Sequence, residues 1–165
     1  MTNVPIPPEE VQDPAEKNEP GIGAGRDPER TPIPWDGTPL AGFTTGRPWL
    51  PLGADHAVLN VAALEHNDGS LLHLYRELIA LRRSYPTLVT GTLRVVAAEG
   101  SILRYERSGS GKRLLILLNL ANNPGHASTE SGVVIASTCH RPDGERVAGM
   151  VEIKAAQGLV IDISG

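Results

Sequence analysis

Residues 112–120 have the sequence KRLLILLNL, a near-continuous apolar run that decides the fold of the second half of the chain. A strand that is apolar on both faces is typical of the interior of a sheet, so we predict that this run is a central strand. The neighbouring β-rich runs are LRVVAA from Leu93, SILRYER from Ser101, GVVIAST from Gly132, MVEIK from Met150 and GLVIDI from Gly158. The turn-forming sequences SGSG, ANNPG and RPDG lie between these runs. Together they predict an antiparallel β-sandwich or Greek-key module.

Upstream of these strands, residues 70–84 (SLLHLYRELIALRRS) predict one amphipathic helix. Leucine, isoleucine and tyrosine recur at three- and four-residue spacing, with polar residues on much of the other face. Asp68 and Ser70 are available as N-caps, and Pro86 prevents continuation. We therefore expect a helix with one face that must be buried.

The first 53 residues have a different composition. Eleven of the 14 prolines lie there, interspersed with glycines, which predicts neither helix nor central strand. The same segment holds Trp35, Phe43 and Trp49, whereas disordered segments are poor in aromatic residues. We expect a long irregular loop that needs a scaffold to hold it.

Composition excludes two classes of partner. With 19 acidic and 15 basic side chains, the net charge of −4 gives no basic field for nucleic acid or an anionic membrane. No apolar run reaches the roughly 20 residues of a membrane helix, and the N-terminal sequence MTNVPIPPEE does not resemble a signal peptide. The single cysteine, Cys139, cannot form an internal disulfide, and we expect an inert thiol. A cytoplasmic protein with neither nucleic-acid nor membrane partner is predicted.

The most specific motif is GRDPERTPIPWDGTPLAGFTTGRPWLP at residues 25–51. It resembles a segment near the C-terminal end of the barrel in α-glucosidases, oligo-1,6-glucosidases and sucrose isomerases of the amylase superfamily, where the pattern is GRD..RTPMQWD....AGF..G.PW. Residues 59–88, LNVAALEHNDGSLLHLYRELIALRRSYPTL, are similar to the segment that follows in those enzymes. Residues 4–23, VPIPPEEVQDPAEKNEPGIG, resemble the segment that precedes it. The match of several Trp, Pro and Gly positions in register makes this resemblance specific.

The resemblance implies a mixed α and β fold in two parts. Residues 1–87 would be the C-terminal remnant of a (β/α)8 catalytic barrel, a long loop plus the last helix, and residues 88–165 an antiparallel β-sandwich. A complete barrel needs roughly 250 residues. We therefore expect the apolar face of helix 70–84 to be covered by the β module, by a second copy, or by a separate polypeptide that supplies the missing barrel.

The resemblance also implies a retaining mechanism, with an aspartate nucleophile, a glutamate acid/base and a third aspartate that binds the sugar. The motifs that carry these carboxylates in the family have no match in the 165 residues. We expect the C-terminal part of an enzyme acting on α-glucosidic bonds in oligosaccharides, inactive as an isolated chain. No catalytic residue, metal or cofactor is assigned. Linkage specificity, and the choice between hydrolysis, transglycosylation and isomerisation, stay open.

Four residues are candidates for substrate contact by this resemblance. Arg26, the arginine of the GRD motif, would reach the glucose pocket, and Arg30 is a weaker candidate. A guanidinium can donate two hydrogen bonds to vicinal hydroxyls, but Arg26 could instead fix its own loop by an ion pair with Asp27 or Glu29. Trp35 and Trp49 would either stack on outer sugar rings or anchor the loop; we favour anchoring.

Two other interpretations stay open. A standalone carbohydrate-binding or interaction module would normally display an aromatic platform, yet Tyr105 is the only aromatic residue after Pro86. An enzyme of another class would need a new acid–base constellation, and Asp143, Glu145, His140 and His126 have no recognisable spacing. The sequence HND at 66–68 is explained by helix capping.

Overall fold

A computed structural model describes residues 3–23, 25–139 and 144–165, and it divides the chain into two compact units. The loop unit is Met1–His73 and the β unit is Leu74–Gly165. The predicted turn RPDG lies almost wholly outside the described residues. The domain border expected at 87/88 stays a prediction.

The loop unit consists mainly of turns and bends with four short helical segments. These are the 3-10 turns Pro8–Glu10 and Asp27–Glu29 and the helices α1 (Pro14–Asn18) and α2 (Val61–Glu65). The proline-rich segment was expected to be irregular throughout, and this is wrong at α1. Pro14 occupies the first helical position, where a missing N–H costs no hydrogen bond. Asp13 caps this helix by accepting from the Ala15 N–H at 2.9 Å.

The predicted amphipathic helix is confirmed as α3 (Leu71–Ser84), which crosses the border between the units. Ser70 is one of the expected caps, since its Oγ accepts from the His73 N–H at 3.4 Å. A single further turn, α4 (Thr87–Thr90), follows Pro86. No described residue of α3 is buried. Its side chains Leu71, Tyr75 and Ile79, at four-residue spacing, are exposed, whereas Leu74, Leu78 and Leu81 are half-buried. The apolar face is therefore only partly covered within the described chain.

All six predicted strands are present and pair in an antiparallel sheet. Their bounds are β1 (Thr92–Glu99), β2 (Ile102–Gly109), β3 (Lys112–Asn119), β4 (Gly125–Ser137), β5 (Arg146–Ile153) and β6 (Gly158–Asp162). The order across the sheet is β1-β2-β3-β6-β4-β5, which confirms that residues 112–120 form an interior strand. The described strands form one continuous sheet rather than two, so the sandwich is not confirmed.

The β unit holds the hydrophobic core. β3 lies near β5, and β2 near β4, although neither pair is hydrogen-bonded, so the sheet curls around one side. Aliphatic side chains fill that side: Ile102, Leu115, Leu117, Val134, Val147, Val151, Ile153, Leu159, Ile161 and Ile163. The opposite face of β3 is also covered, since Leu114 and Ile116 are buried. This explains the near-continuous apolar sequence of the strand.

Among the described residues, no helix has the length and apolar character needed to cross a membrane.

Candidate functional site

The two predicted site arginines flank a 3-10 turn in the loop unit and converge on one carboxylate. Arg26 precedes the turn Asp27–Glu29 and Arg30 follows it. Oδ2 of Asp13 accepts from Nε of Arg26 at 3.2 Å and from Nη1 of Arg30 at 3.4 Å. The Arg26 and Arg30 side chains are 66% and 41% exposed, whereas the Asp13 side chain is inaccessible. The site is therefore a buried carboxylate with two guanidinium groups at the surface.

The ion pair expected for Arg26 with Asp27 or Glu29 is not the one observed. The Asp27 side chain turns inward, and its Oδ2 accepts from the backbone N–H groups of Gln12 at 2.6 Å and Asp13 at 2.8 Å. Asp13 in turn accepts from the backbone N–H of Arg26 at 3.4 Å. We call these two buried carboxylates the Asp13–Asp27 clasp, because each holds the backbone beside the other.

The hydrogen bonds around Asp13 favour its charged form. The Ala15 backbone N–H, then the backbone and side-chain N–H groups of Arg26, lower the pKa of Asp13 against the opposing effect of burial. Asp13 is therefore a carboxylate at neutral pH. A buried anion with hydrogen bonds from two segments gives the arginine loop a fixed electrostatic centre.

A steric constraint explains why Gly25, which opens the GRD motif, is a glycine. A Cβ atom added to Gly25 would lie 2.8 Å from Cβ of Glu16, closer than real contacts of this kind. The Glu16 carboxylate also accepts from the backbone N–H groups of Gly21 at 2.8 Å and Gly25 at 3.1 Å. The segment that leads into Arg26 thus packs directly on α1.

A second tight loop, residues 35–43, holds Trp35. The Trp35 N–H donates to the Ala41 carbonyl at 2.8 Å, and Asp36 Oδ1 accepts from the N–H and hydroxyl of Thr38 at 2.9 and 2.6 Å. Gly42 has a φ of +61°, and a Cβ there would lie 2.6 Å from Asp36 Oδ2, so a larger residue does not fit. These contacts explain why Asp36 and Gly42 occupy their positions in the WDGTPLAG sequence.

Neither of the tryptophans proposed as substrate contacts or anchors is buried in the described chain. Trp35 is 51% exposed and Trp49 is 56% exposed, although Leu50 beside Trp49 is fully buried. About half of each side chain is covered by the described residues, so the favoured role of these rings as loop anchors stays a prediction. No hydrogen bond or ion pair there joins either tryptophan to Arg26 or Arg30. The structure brings the two arginines together, and the tryptophans are held on other parts of the loop.

The loop unit also contains a cavity of about 360 Å³. Its lining is mainly apolar and includes Val4, Ile33, Leu59, Leu64 and Leu71. None of the four predicted site residues lines it. The cavity is therefore separate from the arginine pair.

Sequence reasoning missed a charged network on the β unit. Glu106, which is buried, accepts from Arg113 Nε at 3.0 Å, Ser108 Oγ at 2.7 Å and Arg94 Nη2 at 2.9 Å. These contacts, with Arg113 the strongest, lower the pKa of Glu106 to about 2. The three partners lie on three adjacent strands, so only the sheet register could have revealed the network.

Within residues 3–23, 25–139 and 144–165, no group of three or more His, Cys, Asp or Glu side chains is placed to hold a metal ion. His140 and Asp143 lie outside the described residues. His66, in the HND sequence, is the C-cap residue of α2, and its Nδ1 donates to the Ala62 carbonyl at 2.7 Å.

Sequence comparison matches residues 1–91 to the profile of the catalytic domain of alpha-amylase. The trehalose-6-phosphate hydrolase of Bacillus subtilis (strain 168) is 37% identical over 95 residues, which cover 57% of this chain and 17% of that enzyme. The oligo-1,6-glucosidase of Parageobacillus thermoglucosidasius is 35% identical over 111 residues, or 67% of this chain and 20% of the relative. The chain thus spans about a fifth of the length of these relatives.

Structural comparison gives a similar picture. The trehalulose synthase MutB of Pseudomonas mesoacidophila MX-45 superposes with a TM-score of 0.74 at 27% sequence identity. The superposition covers 84% of this chain and 26% of the synthase. The similarity therefore extends past the alpha-amylase match at residues 1–91 and includes strands of the β unit.

Proposed function

The chain belongs to the alpha-amylase family, and we propose on that premise that it forms the C-terminal part of a retaining α-glucosidase. The substrate class is an oligosaccharide with α-glucosidic bonds, on which the relatives named glucosidases act. In this proposal residues 1–87 are the end of the (β/α)8 barrel and residues 88–165 a C-terminal β-sandwich domain.

The observation that carries the proposal is the exposed guanidinium of Arg26 at the start of the GRD loop. A side chain that is 66% exposed yet bound through Nε to a buried carboxylate is held in place while its outer edge stays accessible. Guanidinium N–H groups suit the vicinal hydroxyls of a pyranose. Arg26 is thus the proposed glucose contact, with Arg30 as a second cation beside it.

The catalytic carboxylates are proposed to lie outside these 165 residues. The family's sequence patterns for the nucleophile, the acid/base and the sugar-binding aspartate have no match here. Retaining hydrolysis needs two carboxylic groups about 5–5.5 Å apart across the glycosidic bond. We therefore expect the isolated chain to bind a glucoside weakly and not to hydrolyse it.

The exposed apolar side chains support a partner that supplies the rest of the barrel. Leu71, Tyr75 and Ile79 on α3 and both tryptophans of the loop unit are exposed. Large contiguous apolar faces on soluble proteins commonly mark interaction surfaces. The proposed occupant is the remainder of an alpha-amylase barrel, whether in the same polypeptide or in another.

Binding of methyl α-D-glucoside to the purified chain tests the sugar-contact part of the proposal. We expect saturation-transfer NMR signals from the glucoside that weaken strongly in Arg26→Ala. Arg47→Ala is the matched control, because Arg47 is an exposed arginine of the same unit with one ion pair, to Glu10 Oε1 at 2.7 Å. Equal signals from the wild type and Arg26→Ala would contradict the proposed role of Arg26.

The standalone carbohydrate-binding module is the alternative. Its usual platform would need exposed aromatic rings on the sheet, whereas Tyr105 is half-buried and lines a cavity on the β unit. Glucoside signals that depend on Tyr105 and not on Arg26 would favour this alternative.

A further inference from the structure

The Asp13 carboxylate accepts more hydrogen bonds than its capping function requires. Oδ1 accepts from the Ala15 N–H and thereby caps α1. Oδ2 is not needed for the cap, yet it accepts from the backbone N–H and Nε of Arg26 and from Nη1 of Arg30. The two oxygens thus have separate functions, one in α1 and one in the arginine loop.

The contact at Nε determines which edge of the Arg26 guanidinium is available. A guanidinium is planar and has five N–H donors in fixed directions. Because Nε is used by Asp13, rotation of the plane is restricted. Within the described part of the chain, Nη1 and Nη2 of Arg26 have no hydrogen-bond partner, and the side chain is mostly exposed. These two nitrogens form the pair of parallel donors suited to two adjacent hydroxyl oxygens.

We infer that Asp13 is a positioning residue, which orients the Arg26 guanidinium so that its Nη1–Nη2 edge is presented to vicinal hydroxyls of a glucosyl group. This inference rests on the proposed function for the identity of the ligand. Asp13 itself is buried and does not touch the sugar.

Two further contacts make Asp13 suited to this role. Asp27 Oδ2 accepts from the Asp13 N–H at 2.8 Å, so the backbone that carries the Asp13 carboxylate is itself fixed. Arg30 contacts the same oxygen as Arg26, and the carboxylate therefore offsets the repulsion between the two guanidinium groups. Loss of the negative charge would release Arg26 and would also leave two like charges close together.

The variant Asp13→Asn separates positioning from capping. Asparagine is as good an N-cap as aspartate, so α1 should stay capped through Oδ1. The amide has no charge and cannot accept all three N–H donors from the arginine loop. In the wild type we expect the Arg26 Nε–Hε resonance to be resolved in a ¹H–¹⁵N spectrum and slow to exchange. In Asp13→Asn it should exchange rapidly, while backbone amides elsewhere keep their shifts.

A double-mutant cycle on glucoside affinity distinguishes positioning from a general structural effect. Asp13→Asn should weaken binding of methyl α-D-glucoside roughly tenfold, since one charged hydrogen-bonding interaction is lost or misdirected. In the Arg26→Ala background the same change should have no further effect. Equal losses in both backgrounds would mean that Asp13 acts through the fold and would overturn the inference.

Glu10→Gln is the matched control, because it removes a carboxylate from an arginine ion pair elsewhere in the loop unit. It should alter neither the Arg26 resonance nor the affinity. If the wild-type chain binds no glucoside while the Arg26 resonance responds to Asp13→Asn, the proposed function fails and Asp13 still orients Arg26. If the resonance is unchanged in Asp13→Asn, the positioning role is wrong whatever the chain binds.

Discussion

The loop unit and the β unit are held together by different interactions. In the β unit ten buried aliphatic side chains pack together on one side of a curled sheet. In the loop unit the buried residues include Asp13, Asp27, Thr31, Asn60 and Ser70. Most of these bind backbone groups, as in the bond from the Ala63 N–H to Asn60 Oδ1 at 2.9 Å. The β unit also has buried polar residues, such as Asn119 and Gln157, but among the described residues the large aliphatic core belongs to it alone. The loop unit depends chiefly on side-chain-to-backbone hydrogen bonds.

This difference has a consequence for function. An aliphatic core is tolerant of exchange among apolar residues of similar volume. A polar clasp depends on individual donors and acceptors, and loss of one leaves a buried group unsatisfied. The loop unit therefore holds a surface arginine in a defined orientation without a large core, but its stability is easily disturbed. Both tryptophans lie in the loop unit and none in the β unit, so fluorescence and circular dichroism can follow the two units separately.

The largest effect is expected in the β-unit core. Leu117 is fully buried, and Leu117→Ala removes apolar contacts and creates a cavity, which typically costs about 2–5 kcal/mol. Urea unfolding followed by far-UV circular dichroism measures this loss. Leu120→Ala, at an exposed leucine beyond the end of the same strand, should change the free energy of unfolding by less than about 0.5 kcal/mol. Similar urea midpoints for Leu117→Ala and Leu120→Ala would contradict the assignment of Leu117 to the core.

A smaller effect is expected for the clasp. Asp27→Ala leaves the N–H groups of Gln12 and Asp13 without their acceptor, at a cost of about 1–3 kcal/mol. Tryptophan fluorescence and amide exchange of Gln12 and Asp13 should report destabilisation of the loop unit. Glu29→Ala, an exposed acidic residue in the same turn, is the control and should leave both signals unchanged. If the Gln12 and Asp13 amides stay protected from exchange in Asp27→Ala, the clasp does not hold this loop.

A pH effect on stability is expected from Glu106 in the β unit. The pKa of Glu106 is lowered from 4.5 to about 2 in the folded protein, so its ion pairs stabilise the fold above pH 4.5. That stability is lost as the pH falls from 4.5 through 2, because the unfolded state takes up the proton first. The contribution is about 1–2 kcal/mol, discounted because Arg94 and Arg113 are partly exposed.

Urea unfolding at neutral and acidic pH, compared between the wild type and Glu106→Gln, isolates this group from the other carboxylates. The variant should be less stable at pH 7, and the difference between the two proteins should shrink as the pH falls. A difference that is constant with pH would exclude the proposed ion-pair contribution.

The smallest effect on stability is expected on the exposed face of α3. Ile79→Lys should change the free energy of unfolding by less than about 0.5 kcal/mol, because the side chain is exposed in the described chain. If this face is an interaction surface, the same change should reduce binding of the apolar dye ANS and self-association in sedimentation velocity. Glu77→Gln, at an exposed charged position of the helix, changes the net charge by the same +1 and is the control.

The regular elements could be predicted from the sequence because their signals are local. β-rich runs between turn sequences, one of them near-continuously apolar, identified all six strands, and three- and four-residue spacing identified α3. The order of the strands could not be read from these signals. The placement of β6 between β3 and β4 depends on pairing between residues far apart in the chain.

The candidate site was predictable only in part. The GRD motif identified Arg26, but its partner Asp13 is 13 residues upstream, while the adjacent Asp27 binds backbone groups instead. Asp13 followed by Pro14 is a signal for a helix start that could have identified this N-cap, although the proline-rich composition led us to expect no helix there. Its second oxygen could be assigned to the arginines only from the folded loop. The exposure of Trp35 and Trp49 also depends on tertiary packing and not on a local pattern.

Hydrolysis of p-nitrophenyl α-glucoside by the purified chain tests the central claim most directly. That claim is that the 165 residues contribute a substrate contact from Arg26 and not the nucleophile or acid/base. We predict no release of p-nitrophenol above the rate in buffer, from either the wild type or Arg26→Ala. Turnover by the wild type that is lost in Arg26→Ala would contradict the claim, because it would require a catalytic pair within these residues.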